Sequence, residues 1–320
     1  MTRNAFVTGA TGFVGLNLVQ RLMTEGWDVT ALHRPSSDLT YLRRFNPRLM
    51  VGEITDADSI NSALPKNCDT VFHVAANTSL WRRKNAEQTR GNVDGTRNVV
   101  EACIIKGVRR LVVTSSISAY GPVSGAITEE TESLAATSWI NYQKTKWEAQ
   151  EIARAATARG LEVVILQPGG IIGPYDLGNW SRLFYMVRDG KLRGVPPGAR
   201  TFAHVREVVT AHVAAADAGD NGGQYILGGT NAHMLELVQE IARLLGKPVP
   251  ARETSLFLVK TVAAVGDLVS TLTGREPSVT PEMADAFGRD ITVTADKAKR
   301  DLGFQVVPLK TMIKDCYDWM

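Results

Sequence analysis

The first half of the chain alternates short apolar runs with amphipathic helical segments, and this alternation restricts the fold more than any other feature. "NAFVTGA" reads as a strand, "GFVGLNLVQRLMTEG" as a helix ending at Gly26, "DVTALHR" as a strand and "DADSINSAL" as a helix with an acidic start. "TVFHVAA" is a further strand, "TRNVVEACIIKG" closes a longer helix, and "VRRLVVTSS" is a strand. "NYQKTKWEAQEIARAATARG" is then a helix and "LEVVILQPGG" a strand. Such alternation predicts an α/β protein with a doubly wound parallel sheet, right-handed crossovers and helices on both faces. Ligands of these sheets bind beyond the carboxyl ends of the strands. The unusual residues fall there: Gly9 after the first strand, His73 to Ala76 after the fourth, and Thr114 to Ser116 after the fifth.

From residue 168 the rhythm loosens. "PGGIIGPYDLGNW" and "GKLRGVPPGA" are punctuated by proline and glycine, and short strands such as "TFAHV" and "QYILGG" follow before the helix "HMLELVQEIARLLG". Residues 1–167 are therefore expected to form a Rossmann-type nucleotide-binding domain and 168–320 mainly a smaller, discontinuous substrate lobe. Segments near 201–205 and 224–228 are expected to cross back and extend the main sheet.

With 320 residues, 44% hydrophobic and 22% charged, the chain has ample length for a core. A net charge of +3 gives no argument for nucleic acid or a membrane surface. Cys68, Cys103 and Cys316 are too scattered for a disulfide framework or a CxxC site, which suits a reducing cytoplasm. The N-terminus enters a strand directly, unlike a cleavable signal. "SLFLVKTVAAVGDLVSTLTG" is interrupted by Lys260 and Asp267, so it reads as a buried helix rather than a membrane span. The five histidines form no HxH or HxxxH pair, and no metal site is expected.

"VTGATGFVG" sets Gly9, Gly12 and Gly15 between a strand and a helix. Glycine permits a sharp turn and close approach to a pyrophosphate, while the helix start supplies amide donors and a favourable dipole. The spacing is GxxGxxG rather than GxGxxG, and its strand–turn–helix setting makes it a nucleotide site. The second strand ends in "ALHRP", with no acid for a ribose diol. Arg34 can instead pair with a 2′-phosphate, which favours NADP over NAD.

Several motifs appear together: "TGATGFVG" at 8–15, "HVAA" at 73–76, "NVDGT" at 92–96, "TSSISAYG" at 114–121, "YQKTK" at 142–146 and "PGGIIGP" at 168–174. In these the chain resembles the extended branch of the short-chain dehydrogenase/reductase superfamily. The later "HV" at 204–205 and "TADKAKRDLGF" at 294–304 carry the resemblance almost to the end. The arginine after the second strand is similar to dihydroflavonol reductase-like carbonyl reductases, and "SLWRR" and "GREPSVT" to hopanoid-associated sugar epimerases.

The resemblance implies that Tyr142 donates or accepts the proton, that Lys146 is its partner, and that the Ser116 hydroxyl positions the carbonyl. Ser116 matches the family position relative to "YG" at 120–121, with Ser115 as the runner-up. It further implies cofactor contacts at Thr11, Phe13, Val14, Glu53, Ile54, Ala75, Ala76, Thr114, Pro168, Gly169 and Ile171, besides Tyr142 and Lys146. Asn92 matches the helix asparagine that organises a proton-relay water. Glu53 stands where relatives have aspartate, Gln167 where many have arginine, and Arg206 replaces an acid in "HVRE". The superfamily also suggests a homodimer through helices that include the one bearing Tyr142.

A free tyrosine titrates near ~10, and a neighbouring ammonium favours its phenolate. The expected activity is therefore NADP(H)-dependent hydride transfer to or from a ketone, aldehyde or alcohol, with Tyr142 as general acid/base. Trp81, Arg82 and Tyr185 are candidate substrate contacts, with Trp180 and Phe184 in similar segments. His73 and His204 read as structural. An NAD-dependent nucleotide-sugar epimerase or dehydratase would use the same Tyr–Lys pair. A non-catalytic dinucleotide sensor would be expected to lose one of the two residues.

Overall fold

The computed structural model describes residues 2–248 and 251–320. Its strands are β1 (Asn4–Thr8), β2 (Asp28–His33), β3 (Arg48–Val51), β4 (Thr70–His73), β5 (Arg110–Thr114) and β6 (Gly125–Ile127). They continue with β7 (Glu162–Pro168), β8 (Gly170–Ile172), β9 (Ala199–His204), β10 (Gln224–Leu227), β11 (Thr230–His233) and β12 (Ile291–Val293). The helices are α1 (Phe13–Thr24), α2 (Ala57–Ala63), α3 (Asn85–Thr89), α4 (Gly95–Lys106), α5 (Asn141–Ala155) and α6 (Ser181–Arg188). After them come α7 (Val205–Ala215), α8 (Met234–Leu245), α9 (Leu256–Thr273), α10 (Pro281–Phe287), α11 (Asp296–Leu302) and α12 (Leu309–Trp319).

The main sheet has the order β10-β7-β5-β4-β1-β2-β3, with every neighbouring pair parallel. Residue alternation divides its side chains between two cores. Val7 and Val112 join Leu18, Leu22, Val208 and Ala211 beneath α1 and α7. Phe6, Leu111 and Val113 join Val99, Cys103 and Ala153 beneath α4 and α5. The chain order reverses between β1 and β4, which opens a crevice at their carboxyl ends. All three cysteines are buried and free.

The helix predicted before β5 begins at Asn85 and runs on to Lys106 through a π-turn at Arg90–Asp94. The extra residue in that turn rotates Asn92 into the protein, where it is buried.

The segment 224–228 extends the sheet as expected, whereas 201–205 does not. Strand β9 pairs with β8 in parallel and with β11 antiparallel in a separate three-stranded sheet. Both sides of β7 are taken, by β5 and β10, and β9 finds its ladder partners in β8 and β11 rather than at the open edges of the main sheet, β10 and β3. This small sheet, with α6, α8 and α12, encloses its own core of Phe184, Phe202, Leu237, Ile241 and Met312.

The apolar segment after residue 254 also differs from expectation. It is the helix α9, but only Ala263 and Ser270 along it are buried. Small residues at i, i+3 and i+7 (Ala263, Gly266 and Ser270) form a narrow seam against the protein, while the larger aliphatic side chains face outward. Among the described residues it is the one helix long and apolar enough to cross a membrane.

Candidate active site

The turn after β1 works only without side chains. Gly9 has a φ of +69°. A Cβ there would lie 2.6 Å from the Ala75 nitrogen, and one on Gly15 would lie 2.0 Å from the Gly9 oxygen. Gly12 caps α1 without a side-chain hydrogen bond, and the first turn carries no acid. The amides and the positive dipole end at the start of α1 therefore remain available to an anion, so the site fits a dinucleotide pyrophosphate.

The crevice encloses about 990 Å³. Its walls include Gly9, Thr11, Gly12, Phe13, Val14, Gly15, Arg34, Glu53, Ile54, Ala75 and Ala76. Thr114, Ser116, Tyr142, Lys146, Pro168, Gly169 and Ile171 also line it. Arg34 and Glu53 lie side by side at the ends of β2 and β3, where the Gly52 nitrogen donates to the His33 carbonyl across 2.9 Å. Arg34 is exposed and has no acidic partner among the described residues. Its backbone nitrogen donates to Ser37 Oγ (3.2 Å), which fixes the base of the side chain at the rim.

A buried relay of hydrogen bonds holds the β4 exit against this turn. The Ala75 nitrogen donates to Thr8 Oγ1 (3.3 Å), and Thr8 Oγ1 contacts His73 Nδ1 (2.8 Å). On the other side, His73 Nε2 contacts Thr96 Oγ1 (3.0 Å), which donates to the Asn92 carbonyl (2.6 Å). Since Thr96 spends its proton on Asn92, His73 must donate from Nε2 and accept from Thr8 at Nδ1. Burial, aided by the Lys146 charge, pulls the imidazole pKa down to about 3, in keeping with that neutral form. His73 is thus a structural clamp, and His204 is another: its Nδ1 accepts from the Arg206 nitrogen and caps α7.

Helix α5 brings Tyr142 and Lys146 to one face, four residues apart. The Tyr142 phenol is raised above its usual range by burial, against the opposing effect of a hydrogen bond with Ser116. The Ser116 oxygen also accepts from the Ser118 nitrogen (3.1 Å). Ser115 instead sends its hydroxyl to Gln150 Oε1 (3.0 Å) in the interior. Burial lowers the Lys146 pKa to about 8, and its ammonium donates to the Thr114 carbonyl (2.7 Å). Thr114 is itself fixed: its hydroxyl meets His212 Nε2 at 2.7 Å, while His212 Nδ1 donates to the Val208 carbonyl at 2.7 Å.

Four of the sequence candidates lie away from the cleft walls. Asn92 is buried, where it accepts from the Asn77 nitrogen (2.7 Å) and donates to Thr145 Oγ1 (3.1 Å). It borders a separate small void with Lys146, Thr114 and Ser115 rather than the main cleft. Trp81 turns beneath the cations of Arg83 and Lys84, and Arg82 pairs with Asp267 on α9. Tyr185 points outward beneath Arg188, 5.0 Å from its ring. Asn92 and Arg82 are held by partners distant in the chain, whereas Trp81 and Tyr185 lie under cations of their own segments, with Trp81 Nε1 buried and without a hydrogen-bond partner. Trp180 does line the cleft, packed edge-on against Phe202 (5.2 Å), whereas Phe184 belongs to the lobe core.

The cleft also contains Ser37, Asn77, Ser79, Lys84 and Glu276, none of which the sequence reading selected. Asn77 and Ser79 follow the β4 exit, so the strand-end rule would have found them. Lys84 and Glu276 meet at 3.1 Å across 192 positions, and no local pattern signals that.

The strand order, the glycine turn at the switch point and the serine–tyrosine–lysine cluster together define a Rossmann-type, extended short-chain dehydrogenase/reductase. The chain belongs to the NAD dependent epimerase/dehydratase family, whose sequence profile matches residues 5–228. It is similar to a Synechocystis sp. protein provisionally named as a dihydroflavonol 4-reductase. The two are 32% identical over 323 residues, covering 98% of this chain and 93% of the relative. The crystal structure of gox2253 superposes with a TM-score of 0.84 at 30% identity, covering 99% of this chain and 98% of that one. A nucleoside-diphosphate-sugar epimerase from Pseudomonas aeruginosa gives a TM-score of 0.81 at 25% identity, covering 100% and 97% of the two chains. The protein is therefore an NAD(P)-dependent oxidoreductase of this family.

Proposed function

We propose that this protein is an NADP(H)-dependent carbonyl reductase or alcohol dehydrogenase in which Tyr142 is the general acid/base. The observation that carries the reading is the meeting of Ser116, Tyr142 and Lys146 on one wall of the crevice that begins at Gly9. The nicotinamide supplies or takes up the hydride when bound.

The chain's own groups then manage one oxygen atom and one proton. Ser116 donates a hydrogen bond to the substrate oxygen, and Tyr142 delivers its phenolic proton to that oxygen as negative charge develops. A phenol raised by burial is a proton donor at neutral pH. Lys146, charged below about pH 8, stabilises the phenolate left behind. The void between Asn92 and Lys146 measures about 10 Å³, near the smallest space that holds a water. It gives Asn92 an indirect place in proton supply. Arg34 and Ser37 hold the 2′-phosphate of NADP at the rim.

The test is NADPH oxidation against a panel of ketones and aldehydes, with wild type and Tyr142→Phe side by side. Turnover by the wild type that the variant loses supports the reading. A second reading, a nucleotide-sugar epimerase, draws on the Pseudomonas neighbour and on the reach of the cleft to Asn179 and Trp180 in the second lobe. Tightly co-purified NAD with no carbonyl turnover would replace the first reading by the second.

A further inference from the structure

We propose that α9 is a membrane-docking helix that lies flat on an anionic bilayer surface. Its eighteen residues measure about 27 Å. Leu258, Val262, Val265, Val269 and Leu272 recur at helical spacing along the outer face, with Phe257 and Leu268 beside them. All are exposed, with Phe257 and Leu272 each 83% open to solvent. An apolar strip of this length on a surface helix marks an interaction site.

The anchoring of α9 determines how it meets a partner. Arg82 pairs with Asp267, Lys260 lies 3.7 Å from Asp285, and Arg83 donates to the Thr271 carbonyl across 3.1 Å. These ties, with the seam at Ala263 and Ser270, hold the helix lengthwise against the protein. It therefore presents its side rather than its end, the geometry of an interfacial helix and not of a span.

Charge selects the occupant. Near α9, Asp267, Glu276 and Asp285 each contact a cation: Arg82, Lys84 and Arg289 respectively. Glu253 ahead of the helix lies 3.1 Å from His233. Lys247 and Arg252 precede the helix, and Arg83 and Arg275 lie at its far end; none of these four has an acidic partner among the described residues. An apolar strip with unpaired cations at both ends complements an anionic lipid surface. A second copy of the chain fits poorly, because parallel and antiparallel pairing of two such helices both place cations against cations.

The foot of α9 leads to the cleft: Glu276 lines it, and Thr280 Oγ1 donates to the Leu80 carbonyl across 2.8 Å. Docking along α9 therefore holds that wall of the cleft close to the bilayer.

The test is flotation of the full-length protein with vesicles of mixed phosphatidylcholine and phosphatidylglycerol, and with phosphatidylcholine alone. Wild type is expected to float with the mixed vesicles, less so with neutral ones, and to be released by high salt. Leu268→Glu combined with Leu272→Glu should cut the floated fraction about tenfold or more, since two exposed leucines lose their apolar transfer energy. Arg252→Gln with Arg275→Gln should abolish the preference for anionic vesicles. The substituted side chains are exposed, so circular dichroism and thermal unfolding should match wild type. Wild type that stays at the bottom of the gradient with both vesicle types would overturn the proposal. A lipid-free dimer that the paired leucine substitutions dissociate would also overturn it, assigning the face to a second copy. Flotation reads neither cofactor nor turnover, so its result is independent of the reductase reading.

Discussion

Lys146 donates from its ammonium to the Thr114 carbonyl oxygen across 2.7 Å, and burial has lowered its pKa to about 8. The final residue of β5 thus anchors a cation carried by α5, and His212 holds the same residue from behind. A buried ammonium carries a desolvation cost that one carbonyl bond offsets only in part.

That cost should appear in the pH dependence of stability. The folded value lies below the ordinary 10.5, so between about 8 and 10.5 the unfolded chain binds a proton that the folded chain does not. Stability therefore rises with pH across this window, and the penalty is fully present below it. Lys146→Met should be more stable than wild type by about 1–3 kcal/mol at pH 7, with the gap closing as pH approaches 10.5. Denaturant titrations at both ends of the range check this; a gap that does not change with pH would refute it.

Tyr142→Phe removes the transferable proton but keeps the ring. Carbonyl reduction should fall about 10²- to 10⁴-fold, while NADPH affinity by fluorescence titration stays near wild type. In the wild type, reduction should also decline as pH rises through about 8, where Lys146 loses its charge. A pH profile that is flat through that range would separate Lys146 from the proton-transfer step.

Arg34→Ala should weaken NADPH binding about 10- to 100-fold, the worth of a charge-assisted phosphate contact, and leave NADH nearly unchanged. Calorimetric titration with both cofactors distinguishes the cases. Equal losses would show that Arg34 does not read the 2′-phosphate.

Gly9→Ala puts a Cβ 2.6 Å from the Ala75 nitrogen at a residue with φ +69°. Backbone strain and overpacking should each cost about 1–3 kcal/mol, and dinucleotide affinity should drop with the displaced turn. Thermal unfolding and cofactor titration measure the two effects separately.

Local sequence determined much of this protein on its own. Strand and helix periodicities along the first half fix the parallel sheet, because the pattern of burial is written residue by residue. The glycine turn, Ser116 and the Tyr142–Lys146 spacing are equally local, as are the uncapped helix start and the one-face pairing they produce. Tertiary structure decided what depends on partners distant in the chain. Strand β9 stands outside the main sheet because it pairs with β8 and with β11, a strand that follows it only after α7 and β10. Arg82 left the cleft because Asp267, 185 positions away, captured it. The π-turn carried Asn92 into the interior. The apolar run at 256–273 gave α9 its length and composition, but whether such a helix is buried depends on what packs over it, and here only a narrow seam is covered.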